Sequence, residues 1–291
     1  MSIEKDARDF GVNGDGTGSG PQIDMTSLRH VQTQGSIILT PEMFERLYLS
    51  PPTRTKGDLR QMIGNPTPFA LAGFIIAFSP LIFSFLGWRQ FTGGPSAVVG
   101  AFYFCGGLLP ILGAIFELII GNTFSACYFA VYGAWFLGYG ATLTPDFGAY
   151  LAYSPSPENP RLGALQPGFL SGQAYWAILM AIFSLYITVC CFRTNICLII
   201  NFFCLFLIFT FAAASFWLSI DGKTTTAHRM QLAAGYIGFV ALIVDLYALL
   251  GLLFLTVDFP IQLPPGDLSN VFPTWSDLLK RKQAGDLEKA E

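Results

Sequence analysis

Charge is scarce in this chain. Asp, Glu, Lys and Arg make up only 12% of its 291 residues, about half of the roughly 25% that a water-facing surface carries, so an ordinary soluble domain is excluded. Histidine occurs twice, His30 and His228, in polar stretches without an obvious partner. No nucleophilic triad, phosphate loop or metal-ligand spacing is present, so the chain reads as a non-enzyme with no cofactor and no metal. The six cysteines, Cys105, Cys127, Cys190, Cys191, Cys197 and Cys204, fall inside apolar runs without a CxxC or Cys/His pattern, as small core-packing residues do. The formal net charge of -3 gives no basic footprint, which removes nucleic acid as a partner.

What fills the chain instead is apolar. Hydrophobic residues reach 53%, Phe alone occurs 28 times, and mean hydropathy is positive. These features place the bulk of the chain in a lipid bilayer.

Residues 1–62 are a different material, rich in Gly, Asp, Thr, Ser and Pro and without a sustained apolar period. They read as a flexible cytosolic tail. Two motifs inside it, the glycine run Gly14 to Gly20 and a loose calcium-loop spacing from Asn13 to Asp24, lack the flanking strand or helices either chemistry needs, and both read as linker composition. The basic start and apolar run of a signal peptide are missing as well.

From Pro68 onward, apolar stretches of about 20 residues alternate with short polar breaks, and that length crosses a hydrocarbon core of about 30 Å as an α-helix. Six are expected, approximately Pro68–Gly87, Pro95–Ile120, Thr123–Thr144, Phe169–Phe192, Asn195–Ser219 and Leu232–Val257. The fold class is therefore an all-α membrane protein, a six-helix transporter domain over residues 63–258 around a central pore, with residues 259–291 as a cytosolic C-terminal tail. Strands are excluded because runs such as Ile196 to Phe211 are apolar on every face. Twelve of the 16 Lys and Arg lie in the two tails and the second and fourth connections, which by the positive-inside rule puts both termini in the cytosol. The third connection, Thr144 to Pro167, carries five prolines and reads as an irregular outer cover.

Three breaks share a pattern. The first span begins after Asn65-Pro66-Thr67-Pro68, the third after Asn122-Thr123, the fifth after Asn195. Being odd-numbered, all three direct their N-termini to the cytosol. An Asn there caps free amides, Pro66 suits a first turn, and the helix dipole adds partial positive charge, so Asn65, Pro66, Thr67, Asn122, Thr123 and Asn195 form a candidate site for an anion. Simple helix capping is the competing reading.

Counting inward, Phe74 lies nine residues past Asn65, and Tyr132 and Leu205 each lie ten past Asn122 and Asn195. At 1.5 Å per residue these positions are about 14–15 Å deep, near the midplane. If the three helices share an axis, these side chains form one narrow apolar ring that gates by dewetting; otherwise they are packing residues.

Two acids fall within the spans. Glu117 lies toward the cytosolic end of the second, within reach of water or an Asn or Arg partner. Asp245 sits at the centre of the sixth, where an acid carries a penalty of about 2.5–3.5 kcal/mol, so it faces the protein interior in its protonated form. Both are candidates for proton or charge handling, with a structural hydrogen bond as the alternative. Small residues at spacing four, Ala130, Ala134 and Gly138, form a seam for close helix approach within or between subunits.

With these residues in view, the chain resembles the acetate uptake transporter (AceTr) family of bacterial succinate-acetate permeases and fungal acetate or ammonia-export proteins. The family's Asn-Pro-Ala-Pro-Leu-Gly-Leu stretch corresponds to Asn65-Pro66-Thr67-Pro68-Phe69-Ala70-Leu71, and the similarity continues through Gly106-Gly107, Glu117, Gly121-Asn122-Thr123-Phe124, Tyr132-Gly133, Arg193-Thr194-Asn195 and Gly235-Tyr236. The resemblance implies a homo-hexamer in the plasma membrane with a pore in each six-helix protomer, moving acetate and related small monocarboxylates together with protons. It also implies a pore narrowed by a Phe, a Tyr and a Leu, which by motif position are Phe74, Tyr132 and Leu205. Thr67, Phe69 and Ala70 depart from the pattern, and so does Asp245, where the family has a small or apolar residue. An ionised Asp245 about 4 Å from an anion would cost about 4 kcal/mol at an effective dielectric near 20, so it is protonated, or turned away, or the substrate is not a simple anion. An ammonium or ammonia export pathway and a transport-inactive membrane sensor are the alternative functions.

Overall fold

The computed structural model describes residues 63–268 except Pro157, together with Val271 and Leu279. The expected N-terminal tail, with its glycine run and calcium-loop spacing, and most of the C-terminal tail lie outside the described residues. Six long helices follow one another, α1 Thr67–Leu86, α2 Ser96–Ile119, α3 Thr123–Leu143, α4 Pro167–Cys191, α5 Ile196–Ile220 and α6 Thr224–Thr256. All except α3 are both long enough and apolar enough to cross a membrane. At 21 residues, about 31 Å, α3 has the length. It falls short in apolarity because its positions go to Tyr128, Tyr132, Trp135, Tyr139 and glycines.

The surface is inverted relative to a water-soluble bundle. Phe104, Leu118, Leu179, Tyr186 and Val189 are all more than 60% exposed, whereas Glu117, Asn122, Asn195, Asn201 and Asp245 are buried. Large apolar side chains outside and polar ones inside match a hydrocarbon solvent, and the chain is a multi-pass all-α membrane protein.

Helices α4, α5, α6 and α1 pack side by side in that order, and α2 packs against both α1 and α3. Close approach around α2 depends on glycine. A Cβ on Gly106 would stand 2.6 Å from the Ala77 Cβ of α1 and 2.7 Å from the Phe136 ring of α3, so this position admits no side chain. The same stretch, Phe102–Leu108, is wound as a π-helix, a local widening that the sequence pattern did not reveal. Between α3 and α5 the contacts are made by rings instead. Tyr128 and Tyr132 meet Phe202 at 5.0 and 5.9 Å, and Trp135 meets Phe209 edge-on at 5.1 Å. Bulky aromatics thus hold the two helices apart, leaving room for space between them.

One expected boundary is corrected. Helix α6 begins at Thr224, not near Leu232; the fifth connection is a tight turn through Gly222 (φ +75°), and His228 and Arg229 belong to the helix. A run of polar residues, Thr224 to Thr226 followed by His228 and Arg229, hid a helix that has no apolar period there. The C-terminal segment is also no simple extension. Ile196 N–H donates to Gly266 O and Leu268 N–H to Thr194 O, each at 2.9 Å, and the Tyr247 hydroxyl donates to Pro264 O at 2.9 Å. Residues 258–268 therefore return across the start of α5. The third connection contains three short 3-10 turns, Pro145–Phe147, Leu151–Tyr153 and Pro160–Leu165.

Candidate functional site

The three Asn residues at the helix starts do different work. Asn65 Oδ1 accepts from Thr67 N–H at 3.0 Å, and Asn195 Oδ1 accepts from Leu198 N–H at 2.9 Å. Asn195 is a cap, as the pattern predicts; Asn65 stands one residue before the N-cap Pro66 and takes up the first free helical amide in a local turn. Asn122 corrects the expectation. It makes no side-chain cap to α3 and instead donates through Nδ2 to Glu117 Oε2 at 2.7 Å.

Glu117 is fully buried, so of the expected surroundings water drops out and an Asn partner, Asn122, is the one found. The other Glu117 oxygen accepts a hydrogen bond from the Thr67 hydroxyl. Two donors on two oxygens is the pattern that an ionised carboxylate accepts. Glu117 thus ties the N-terminal ends of α1 and α3 together, one carboxyl oxygen to each. Asn65, Pro66, Asn122, Thr123 and Glu117 line neither of the two cavities described next; Thr123 lies on the exposed face of α3.

Two cavities run along the interior. The inner one, about 50 Å³, is lined by Thr67, Leu71, Tyr128, Asn195, Asn201, Asp245 and apolar neighbours. The outer one, about 160 Å³, is lined by aromatic rings including Trp135, Trp176 and Phe216, with Gln173, Ser215 and Gln231 as polar members. Phe74, Tyr132 and Leu205 are the three residues common to both linings. The spacing count had selected the same three side chains. Phe74 and Tyr132 meet edge to face with centroids 6.0 Å apart, and Phe74 stacks on Phe78 at 5.2 Å, so neighbours fix both rings. Each of the three is no more than 6% exposed, so they are packed inside the bundle, between the two cavities, and do not face lipid.

Asp245 faces the inner cavity, which removes the possibility that it turns away. Its Oδ2 has no hydrogen-bond partner among the described residues, and neither has Asn201 Oδ1. Each unpaired buried polar atom costs about 1–3 kcal/mol. The sequence reading passed over Asn201. The available signal was a carboxamide in a continuous apolar run, four residues before Leu205 and so on the same face of α5. Lys, Arg and His are absent from both linings, and no group of three or more His, Cys, Asp or Glu converges as a metal site among the described residues.

The small-residue seam divides. Ala130 and Ala134 are exposed on the outer face of α3, whereas a Cβ on Gly138 would stand 2.9 Å from the Trp176 ring of α4.

Comparison with known proteins fits this arrangement. The chain is 39% identical over 245 residues to the protein alcS of Aspergillus fumigatus, covering 84% of this chain and 89% of that one. It is 29% identical to the acetate transporter protein patA of Aspergillus clavatus, covering 72% and 81%. The solved structure of the bacterial acetate channel SatP shares the fold with a TM-score of 0.52 at 24% identity, over 68% of this chain and 95% of that one. A family model matches residues 51–270, and the chain belongs to the GPR1/FUN34/yaaH family.

Proposed function

We propose that this chain is a transporter or channel for acetate and related small monocarboxylates, with Phe74, Tyr132 and Leu205 as its constriction. The observation that carries this reading is the pair of cavities meeting at those three side chains. An apolar waist excludes bulk water and ions while a small solute that sheds its hydration passes. The acetate transporter and acetate channel among its relatives support the substrate class. Thr67 and Asn195 border the inner cavity and are the members of the predicted anion site placed to meet a solute there. Asn65, Pro66, Asn122 and Thr123 support the helix ends from behind. Glu117 holds the α1 and α3 ends in register, and Asp245, in its neutral form, borders the inner cavity without repelling a carboxylic solute.

In this reading α3 is the sixth span, both termini are cytosolic, and the protein resides in the plasma membrane. The exposed small residues Ala130 and Ala134 suit close contact between copies, consistent with a homo-hexamer. The test is solute flux in liposomes with a pH-sensitive dye inside. Added acetate acidifies the lumen faster with protein than without; equal rates would defeat the proposal. An ammonium route is the second reading, favoured by the two unpaired acceptor oxygens in the inner cavity, and it predicts faster alkalinisation by added ammonia instead.

A further inference from the structure

The inner cavity holds more chemistry than a passage needs. Asn201 and Asp245 are 6% and 3% exposed, close to nine-tenths or more buried in each case, and both line the same space of about 50 Å³, enough for a water-sized or slightly larger guest. Each presents an oxygen that nothing in the described protein satisfies. The other polar groups at hand are already engaged. The Thr67 hydroxyl serves Glu117, and Asn195 Oδ1 serves the Leu198 amide. The remaining titratable groups of the lining are Tyr128 and Tyr132 from α3 and Cys197 from α5, with none from α1, so Asp245 is the one carboxyl there.

We propose that Asn201 and Asp245 form a two-point subsite, one helical turn from the waist on its Asn195 side, that binds the undissociated form of a small monocarboxylic acid; this rests on the transport reading above. Three kinds of guest compete for such a space. An anion meets no cationic side chain in the lining and faces oxygen lone pairs. A cation such as ammonium brings four N–H donors to a lining whose unmatched acceptors are two, and it requires an ionised acid in an otherwise apolar enclosure. The neutral acid matches both points. Its O–H donates to Asn201 Oδ1, and its carbonyl oxygen accepts from the Oδ2–H of neutral Asp245. The acid then carries its own proton through the waist, and flux is electroneutral.

Purified protein in liposomes tests this with radiolabelled acetate taken up at several external pH values. The half-saturation concentration is expected to stay constant across pH when expressed as undissociated acid. Acetamide, which offers the same donor and acceptor but does not titrate in this range, is expected to compete equally at every pH. Asn201→Leu is expected to raise half-saturation about tenfold, as loss of one hydrogen bond to a buried partner does, with the maximal rate little changed. Asn201→Thr, which supplies a hydroxyl oxygen as an acceptor in place of the amide oxygen, recovers part of the loss. Asp245→Asn, which keeps a donor and an acceptor, retains uptake. An imposed membrane potential leaves the initial rate unaltered. Half-saturation that follows the acetate anion, indifference to acetamide, or competition by methylammonium in its place would overturn the subsite while leaving transport intact. Absence of uptake of any acid by the wild-type protein would instead remove the transport reading and the subsite with it.

Discussion

The Tyr132 hydroxyl lies 2.7 Å from Ser184 Oγ, and that same serine hydroxyl donates to Met180 O at 2.6 Å. A serine has one proton to give, so Tyr132 is the donor in its pair. The hydroxyl is thereby turned toward α4, and the ring, not the polar tip, is presented to the waist. A residue that looks amphipathic in the sequence acts here as an apolar wall with a fixed orientation.

Tyr132→Phe keeps that wall and removes its anchor. It is expected to lower folding stability by about 1 kcal/mol, the typical net contribution of one hydrogen bond, and to leave acetate flux measurable. Thermal unfolding in detergent, read beside liposome uptake, checks both halves. Loss of uptake with unchanged stability would mean that the hydroxyl touches the solute.

Leu205→Ala widens the waist, since Leu205 borders both cavities. Relative rates measured for acetate and a longer acid such as butyrate should shift toward the longer acid by several-fold. The same change removes buried methyl groups and should destabilise by about 2–5 kcal/mol. An unaltered preference would place the selective step elsewhere.

Glu117→Gln replaces one acceptor oxygen with a donor between Thr67 and Asn122. One charge-assisted hydrogen bond is lost, and the expected destabilisation is about 1.5–3 kcal/mol. Thr67→Val should lose less, because the carboxylate keeps Asn122. Equal melting temperatures for Glu117→Gln and wild type would refute the bridging role of Glu117.

Gly266→Ala tests the return of the C-terminal segment. Gly266 has φ +74°, and an added Cβ would stand 2.5 Å from Ile196 Cγ2. A side chain in that backbone region costs about 1–2 kcal/mol before the clash is counted. Hydrogen exchange at the Ile196 and Leu268 amides, which hold the segment in place, should accelerate together; protection equal to wild type would show that the segment is held by other contacts.

Much of this architecture was legible before any coordinates. A continuous apolar run can bury its backbone in lipid only as a helix, so composition and length alone fixed an all-α membrane bundle. The capping role of Asn195 followed from local chemistry, because a cap involves its own helix and nothing distant. Depth along a helix is arithmetic, which is why Phe74, Tyr132 and Leu205 could be selected together. Other features were hidden. The π-wound stretch at Phe102–Leu108 answers to the crowding of α1 and α3 against Gly106, and nothing in its own residues announces it. The three-residue connection before α6 lay behind polar residues that suit a loop as well as a helix start.

Local rules placed helices, caps and depths, since each depends on residues a turn or two apart. Which polar groups became partners depended on how the helices were brought side by side. That packing joined Glu117 to Thr67 fifty positions away, diverted Asn122 from its expected cap, and left the oxygens of Asn201 and Asp245 unmatched in one enclosure. Hydrogen bonding between distant segments is a property of their relative position in space, and in a low-dielectric interior the same position decides which polar groups find partners inside the protein.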